Sequence, residues 1–138
     1  MSVIPSFRGA GEAFLRVENI STLTTNTLLT YDQAGALLLF NGNAGPARIR
    51  LPRAERGLIY RIALVEGSAT SAVLIGASSG TAGAEDIRYL GTTGGYVQAA
   101  STVDAGSLVT LVGINDSRYD VFVQRASTIA WVSTSTGA

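Results

Sequence analysis

Short apolar runs recur along the chain, and segments rich in turn-forming residues separate them. The runs are FLRVENI (14–20), TLLTY (27–31), ALLLFN (36–41), ARIRL (47–51), LIYRIALVE (58–66), SAVLIG (71–76), DIRYL (86–90), YVQAAS (96–101), SLVTLVGI (107–114), YDVFVQ (119–124) and TIAWVS (128–133). Between them lie DQAG, NGNAGP, ASSGTAGA, GTTGG and INDSR, whose Gly, Asn, Asp and Ser residues suit tight turns. This spacing predicts an all-β fold, an antiparallel β-sandwich or barrel-like domain with about ten short strands.

The 138 residues fit a single domain of ordinary size. We expect the β domain to occupy residues 14–133 and residues 134–138 to form a flexible C-terminal tail. Residues 1–13 hold the apolar anchors Val3, Ile4 and Phe7 among Ser, Pro and Gly. This pattern predicts an extended N-terminal arm that becomes ordered against a partner, although a frayed terminus or an edge strand fits the same residues.

The segment ARIRLPRAERGLIYRIALVEG (47–67) holds half of the arginines of a chain that has no lysine. It could form a helix beginning at Pro52, because proline is favoured at the first helical position. Gly57 inside that helix would cost roughly 1 kcal/mol relative to alanine. The run LIYRIALV is instead rich in β-branched and aromatic residues, which favour strands. We therefore predict two strands joined by the loop PRAERG.

The two predicted strands separate charged from apolar side chains. Arg48 and Arg50 alternate with Ile49 and Leu51, which places the two pairs on opposite faces. In the second strand, Leu58, Tyr60, Ile62 and Leu64 share a face opposite Ile59, Arg61, Ala63 and Val65. The loop exposes Arg53 and Arg56 at its tip. Because a guanidinium carries five donors, we expect these arginines to bind acidic groups or backbone carbonyls of a partner.

The run SLVTLVGI is apolar on both faces. Leu108, Val112 and Ile114 alternate with Val109 and Leu111. An antiparallel sandwich normally turns one face of each strand to water, so this run predicts a central strand or a sheet surface covered by another subunit. Charged residues make up 14% of the chain, below the roughly 25% of ordinary soluble domains, and this also favours a homo-oligomer.

The composition excludes several classes of function. The chain has no Cys and no His, which removes disulfides, thiolate metal sites, cysteine nucleophiles and histidine acid–base catalysis. We therefore expect no enzyme activity, no cofactor and no metal. The formal net charge is zero, which argues against nucleic-acid binding. No apolar run reaches the 18 or so residues of a membrane span, and the N-terminus lacks a signal peptide, so we expect cytoplasmic synthesis and no membrane partner.

Carboxylate chemistry stays open as a minor alternative. Glu85 and Asp86 are neighbours and would face opposite sides of a strand, so they could not flank one glycosidic bond. Asp32 could meet another aspartate in space, and the sequence leaves this undecided.

Several stretches together resemble a known class of proteins. They are YDQAG (31–35), RLPRAERGLIYRI (50–62), DIRYLG (86–91), GSLVTLVGINDSRYDV (106–121) and AWVS (130–133). In this order they resemble small β-rich virion proteins of tailed bacteriophages, found among capsid decoration (cement) proteins, head fibres and tail-spike-associated domains. The resemblance implies a β-sandwich or barrel-like module without enzymatic activity, commonly trimeric, at the exterior of the capsid.

A compact domain without shaft repeats fits a decoration protein better than a fibre or spike. We therefore expect a homotrimer that binds the major capsid protein and stabilises the head. The candidate contact residues for the capsid or a sister subunit are Val3, Ile4, Phe7, Arg8, Arg48, Arg50, Arg53, Arg56 and Arg61. The alternative is a receptor- or carbohydrate-binding tip protein of a head or tail fibre, in which Tyr31, Tyr89, Tyr96 and Trp131 supply stacking platforms.

Overall fold

The structure of the chain is a computed structural model that describes residues 16–20, 26–41, 47–66, 73–76, 86–99, 105–128 and 130–134. The expected arm at residues 1–13 lies outside the described residues, and so do its candidate contacts Val3, Ile4, Phe7 and Arg8. The expected tail is described only at Thr134, which is the last residue of a strand. The arm and its contacts therefore stay predictions.

Twelve strands and one 3₁₀ turn make up the regular structure of the described residues. The strands are β1 (Val17–Asn19), β2 (Asn26–Leu28), β3 (Leu37–Asn41), β4 (Ala47–Arg50), β5 (Ile59–Glu66), β6 (Val73–Gly76), β7 (Asp86–Tyr89), β8 (Thr92–Gly94), β9 (Tyr96–Ala99), β10 (Leu108–Asn115), β11 (Arg118–Gln124) and β12 (Trp131–Thr134). Every strand except β8 overlaps one of the apolar runs. β8 lies in GTTGG, which the sequence presents as a turn because of its glycines.

The strands form two sheets, and the prediction of an all-β sandwich is confirmed. One sheet has seven strands in the order β1-β3-β5-β10-β11-β7-β8, and the other has five in the order β12-β9-β6-β4-β2. Buried side chains from both sheets form one hydrophobic core between them. This is the sandwich arrangement that alternating short strands favour.

The sheets are mixed, whereas the sequence predicted antiparallel pairing. β1 with β3, β3 with β5, β2 with β4, β4 with β6 and β7 with β11 are parallel pairs. The reason lies in the path of the chain, which alternates between the two sheets from β1 to β6. Strands that neighbour each other in one sheet are thus separated by a strand of the other sheet, and they run in the same direction.

The segment at residues 47–67 folds as two strands, as predicted. In β5, Tyr60, Ile62 and Leu64 are buried, while Ile59 and Val65 are exposed on the outer face. In β4, Ile49 is buried between Arg48 and Arg50, which are half-buried on the outer face of the other sheet. Alternation thus places apolar side chains in the core and arginines outside it.

β10 is the central strand of the seven-stranded sheet. Val109 and Leu111 are fully buried against the second sheet. On the outer face, Leu108 and Val112 are half-buried in the single chain. The central position accounts for part of the apolar character of this strand, and its outer face still presents apolar surface to solvent.

Two matched substitutions in β10 distinguish its faces. We expect Leu111→Ala to lower the free energy of unfolding by about 2–5 kcal/mol, because it leaves a cavity in the core. Leu108→Ala should lower it less, because Leu108 has no second layer over it in the single chain. Denaturant unfolding gives both values, and equal losses would contradict the assignment of the two faces.

Candidate functional site

The loop at residues 51–58 connects β4 of the five-stranded sheet to β5 of the seven-stranded sheet, so it crosses one end of the sandwich. It begins with buried residues, since Leu51 and Pro52 are both inaccessible to solvent. Ala54 is also fully buried, while Arg53, Glu55 and Arg56 are exposed. The loop is therefore fixed to the core at two points and presents charged side chains between and beyond them. We call it the arginine loop.

Tyrosine hydroxyl groups hold the first half of the arginine loop. The hydroxyl of Tyr119 donates a hydrogen bond of 2.8 Å to the carbonyl of Pro52 and lies 3.5 Å from the carbonyl of Arg53. The hydroxyl of Tyr31 donates to the same Arg53 carbonyl at 3.2 Å. These carbonyls have no place in a strand ladder, so side-chain donors satisfy them at the end of the sandwich.

The second half of the loop packs on Gly113 of β10 and is hydrogen-bonded to its backbone. The amide of Gly57 donates to the Gly113 carbonyl at 2.8 Å, and the amide of Gly113 donates to the Leu58 carbonyl at 2.8 Å. A Cβ atom at position 113 would lie 2.0 Å from the Glu55 carbonyl oxygen. The loop backbone therefore approaches β10 as closely as only glycine permits.

Tyr60 of β5 connects Tyr119, which holds the loop, to the residue before the 3₁₀ turn Tyr31–Gln33. Its ring packs edge-to-face on that of Tyr119, with centroids 6.3 Å apart, and its hydroxyl donates to the Thr30 carbonyl at 2.8 Å. Burial raises the pKa of Tyr60 to about 12, with smaller contributions from Tyr31 and Glu55. Its phenol therefore stays a neutral donor throughout the physiological range.

The chemical capacity of the loop resides in Arg53 and Arg56. Both side chains are exposed, and the backbone that carries them is held by hydrogen bonds to Tyr31, Tyr119 and Gly113. A guanidinium presents planar donors that match a carboxylate, a phosphate or a pair of carbonyl oxygens. A fixed backbone lowers the ordering cost when such a group binds.

The structure does not bring the five predicted arginines together. Arg53 and Arg56 lie in the loop, Arg48 and Arg50 lie on the outer face of the five-stranded sheet, and Arg61 lies on the outer face of the seven-stranded sheet. The Arg61 guanidinium donates to the Gly35 carbonyl at 3.3 Å. The arginines of this segment thus lie on three separate surfaces, the loop and the two outer sheet faces, which point in opposite directions.

The aromatic residues considered for carbohydrate stacking are mostly inside the protein. Tyr96 is fully buried, Trp131 is 6% exposed and Tyr89 is 9% exposed, whereas Tyr31 is 47% exposed. A stacking platform requires an accessible ring face, so three of these four side chains cannot provide one in this structure. This finding weakens the alternative of a carbohydrate-binding tip.

The charged residues of β7 and β11 form a cluster that sequence reasoning missed. Arg88 makes two hydrogen bonds to Asp120, Nε to Oδ1 at 3.2 Å and Nη2 to Oδ2 at 3.1 Å. Arg118 Nε lies 3.6 Å from Asp120 Oδ1. The parallel register places Asp120 opposite Arg88, a pairing across 32 residues of sequence that no local pattern indicates.

The described part of the chain was searched for metal-binding groups and for membrane-spanning helices. Among those residues, no group of three or more acidic, histidine or cysteine side chains could hold a metal ion. A search of the same residues finds no helix with the length and apolar character that crossing a membrane requires.

Comparison with known proteins gives no match to any protein-family model or to any curated protein. The function must therefore be inferred from the residues and their geometry.

Substitution of Gly113 tests how the arginine loop is seated. We expect Gly113→Ala to lower the free energy of unfolding by about 1–3 kcal/mol, because the new methyl group overlaps the Glu55 carbonyl. Gly35→Ala is the control, since Gly35 has a φ of +81° and open space around it. That control should cost about 1 kcal/mol through backbone strain alone. Only Gly113→Ala should also change the amide chemical shifts of residues 53–58.

The raised pKa of Tyr60 predicts a loss of stability at high pH. The phenol ionises near pH 10 in the unfolded chain and at about 12 in the folded protein. Its contribution is therefore complete below pH 10 and is lost as the pH rises from about 10 to about 12. Unfolding curves across this window should show a shallower decline for Tyr60→Phe than for the wild type, and equal slopes would contradict the prediction.

Proposed function

We propose that this protein is a structural virion component, a capsid decoration (cement) protein that binds the assembled head of a tailed phage as a homotrimer. The arginine loop is its contact element for the major capsid protein. The proposal assigns no catalytic activity and no cofactor to the chain. It places the protein on the exterior of the capsid after synthesis in the host cytoplasm.

The observation that carries the proposal is the fixed backbone of the arginine loop. Two exposed arginines project from a loop whose carbonyls accept hydrogen bonds from Tyr31 and Tyr119. A contact element with this stiffness suits a repeated, stationary surface such as a protein shell, because little conformational entropy is lost on binding. The resemblance of the sequence to small β-rich phage proteins supports the same assignment.

The outer face of the seven-stranded sheet supports self-association. Val17, Ile59 and Val65 are between 40% and 53% exposed, and Leu108 and Val112 of the central strand are half-buried beside them. The register aligns these residues across β1, β3, β5 and β10 around Arg61 and Thr110. A sister subunit could pack on such a face, because the face is apolar and has polar donors near its centre.

A trimer would gain from engaging several sites on the shell at once. Modest contacts that form together bind strongly, because each contact raises the effective concentration of the next. A ligand that binds the assembled shell and not its dissociated subunits stabilises the shell by mass action. The rigid sandwich then transmits each contact between the shell subunits it joins.

Charge reversal in the arginine loop tests the proposal on purified capsids that lack the protein. We expect Arg53→Glu and Arg56→Glu each to weaken attachment about tenfold or more, because an attractive contact becomes a repulsive one. Arg125→Glu is the matched control, since Arg125 is also exposed but lies at the other end of β11. Co-sedimentation with capsids measures occupancy, and denaturant unfolding checks that each variant is folded.

If the wild type and the loop variants occupied capsids equally, the arginine loop would not be part of the capsid contact. A monomeric wild-type protein that leaves capsids unbound at all concentrations would overturn the proposed function as a whole. A specific hit on a glycan array would favour the receptor-binding alternative, since a decoration protein should give none.

A further inference from the structure

Tyr31 is exposed at the end of the sandwich that carries the arginine loop. Its hydroxyl lies 3.2 Å from the Arg53 carbonyl, so the side chains of Tyr31 and Arg53 belong to one surface. Tyr31 is 47% exposed, whereas Tyr60 and Tyr119, the other two tyrosines that donate hydrogen bonds at this end, are fully buried. Of these three residues, only Tyr31 therefore offers an aromatic surface to a partner.

The fold depends less on Tyr31 than on the two buried tyrosines. Its hydrogen bond to the Arg53 carbonyl is exposed, and water competes there for both partners, so the bond contributes little to stability. The same carbonyl also lies 3.5 Å from the hydroxyl of Tyr119. Tyr31 does not belong to the buried cluster that forms the core. Its ring is therefore available for recognition, and aromatic rings are enriched in protein interfaces.

Hydrogen bonds hold the turn that carries Tyr31. The Thr30 amide donates to the side-chain oxygen of Gln33 at 2.8 Å, and the Gln33 amide donates to the Thr30 carbonyl at 3.2 Å. The same carbonyl accepts the 2.8 Å bond from the hydroxyl of Tyr60. The ring of Tyr31 thus projects from a fixed backbone, and a tyrosine side chain has only two rotatable bonds to order on binding. Both properties lower the entropy cost of a contact.

We propose that Tyr31 extends the contact surface of the arginine loop, and that Tyr31 and Arg53 together recognise an acidic side chain beside an aliphatic one on the capsid. This inference rests on the proposed function and deepens it by naming the chemistry of the surface that the loop binds. The guanidinium of Arg53 pairs with the carboxylate. The hydroxyl of Tyr31 already donates to the Arg53 carbonyl, so its ring supplies the new contact and packs on the aliphatic group.

The charges around the two residues favour a single carboxylate over a polyanion. Glu55 lies between Arg53 and Arg56 in the loop, and Asp32 follows Tyr31 in the turn, and all of these residues are exposed. The two carboxylates would repel a chain of phosphates, because like charges brought together weaken binding. One acidic side chain can still pair with Arg53, since that pairing needs only one guanidinium. The surface is therefore suited to a protein partner rather than to a nucleic acid.

Two substitutions of Tyr31 separate its ring from its hydroxyl in co-sedimentation with capsids that lack the protein. Tyr31→Ala removes the ring and should weaken attachment about tenfold. Tyr31→Phe removes only the hydrogen bond to Arg53 and should bind as the wild type does. Val132→Ala is the control, since Val132 is an exposed apolar residue of β12, at the opposite edge of the five-stranded sheet from β2. Denaturant unfolding checks that each variant is folded.

The salt dependence of attachment identifies the kind of contact that each residue makes. The Debye length falls from about 10 Å at 0.1 M salt to about 3 Å at 1 M. The loss caused by Arg53→Ala should therefore shrink between these two concentrations, because salt screens the ion pair. The loss caused by Tyr31→Ala should persist, because salt does not screen an apolar contact. If Tyr31 only positioned Arg53, its loss would shrink with salt as well.

The outcomes distinguish this inference from the function on which it rests. A wild type that binds no capsid overturns the proposed function, and the role of Tyr31 with it. If the wild type binds and Tyr31→Ala binds equally well, only the role of Tyr31 is overturned. Equal losses in Tyr31→Phe and Tyr31→Ala, or a Tyr31→Ala loss that shrinks with salt, also overturn the contact. If Tyr31→Ala does not fold, Tyr31→Asn replaces it, because asparagine suits turns and also lacks the ring.

Discussion

The hydrogen bonds that three tyrosine hydroxyls donate to backbone carbonyls determine how the two sheets join at one end. The chain leaves β4 in one sheet and enters β5 in the other. Backbone hydrogen bonds to strands hold only the two ends of this loop, Leu51 to Gly76 of β6, and Gly57 and Leu58 to Gly113 of β10. Tyr119 and Tyr31 donate to carbonyls of the middle of this crossing, on Pro52 and Arg53. Tyr60 donates to the carbonyl of Thr30, which precedes the neighbouring 3₁₀ turn. An unpaired buried carbonyl costs about 1–3 kcal/mol, so the buried bond from Tyr119 to the Pro52 carbonyl is the one whose loss would most destabilise the crossing.

The same arrangement explains why the loop can carry exposed charge. Leu51, Pro52 and Ala54 are buried, and the seat on Gly113 leaves no room for a side chain. The position of the loop is thus set by groups beneath it, and Arg53 and Arg56 are not needed to hold it. Residues that do not stabilise the fold are available for recognition, which is why the proposed capsid contact is assigned to the charged residues at this end of the sandwich.

Alternation of apolar and polar residues was sufficient to predict most strands, because one face of each meets a single shared core. It placed Tyr60 and Ile62 inside and Arg48 and Arg50 outside, as the structure has them. It could not predict strand partners, since the parallel pairing of β4 with β6 depends on the path of the chain between sheets.

The contacts that build the candidate site were also beyond local sequence patterns. Tyr119 lies 67 residues from the Pro52 carbonyl to which it donates, and in the sequence it looks like an ordinary strand residue. The strand β8 was missed because its glycines are typical of turns. The ends of strands were also hard to predict, because strand boundaries are what sequence patterns define least well. β7 stops at Tyr89, although the apolar run continues to Leu90.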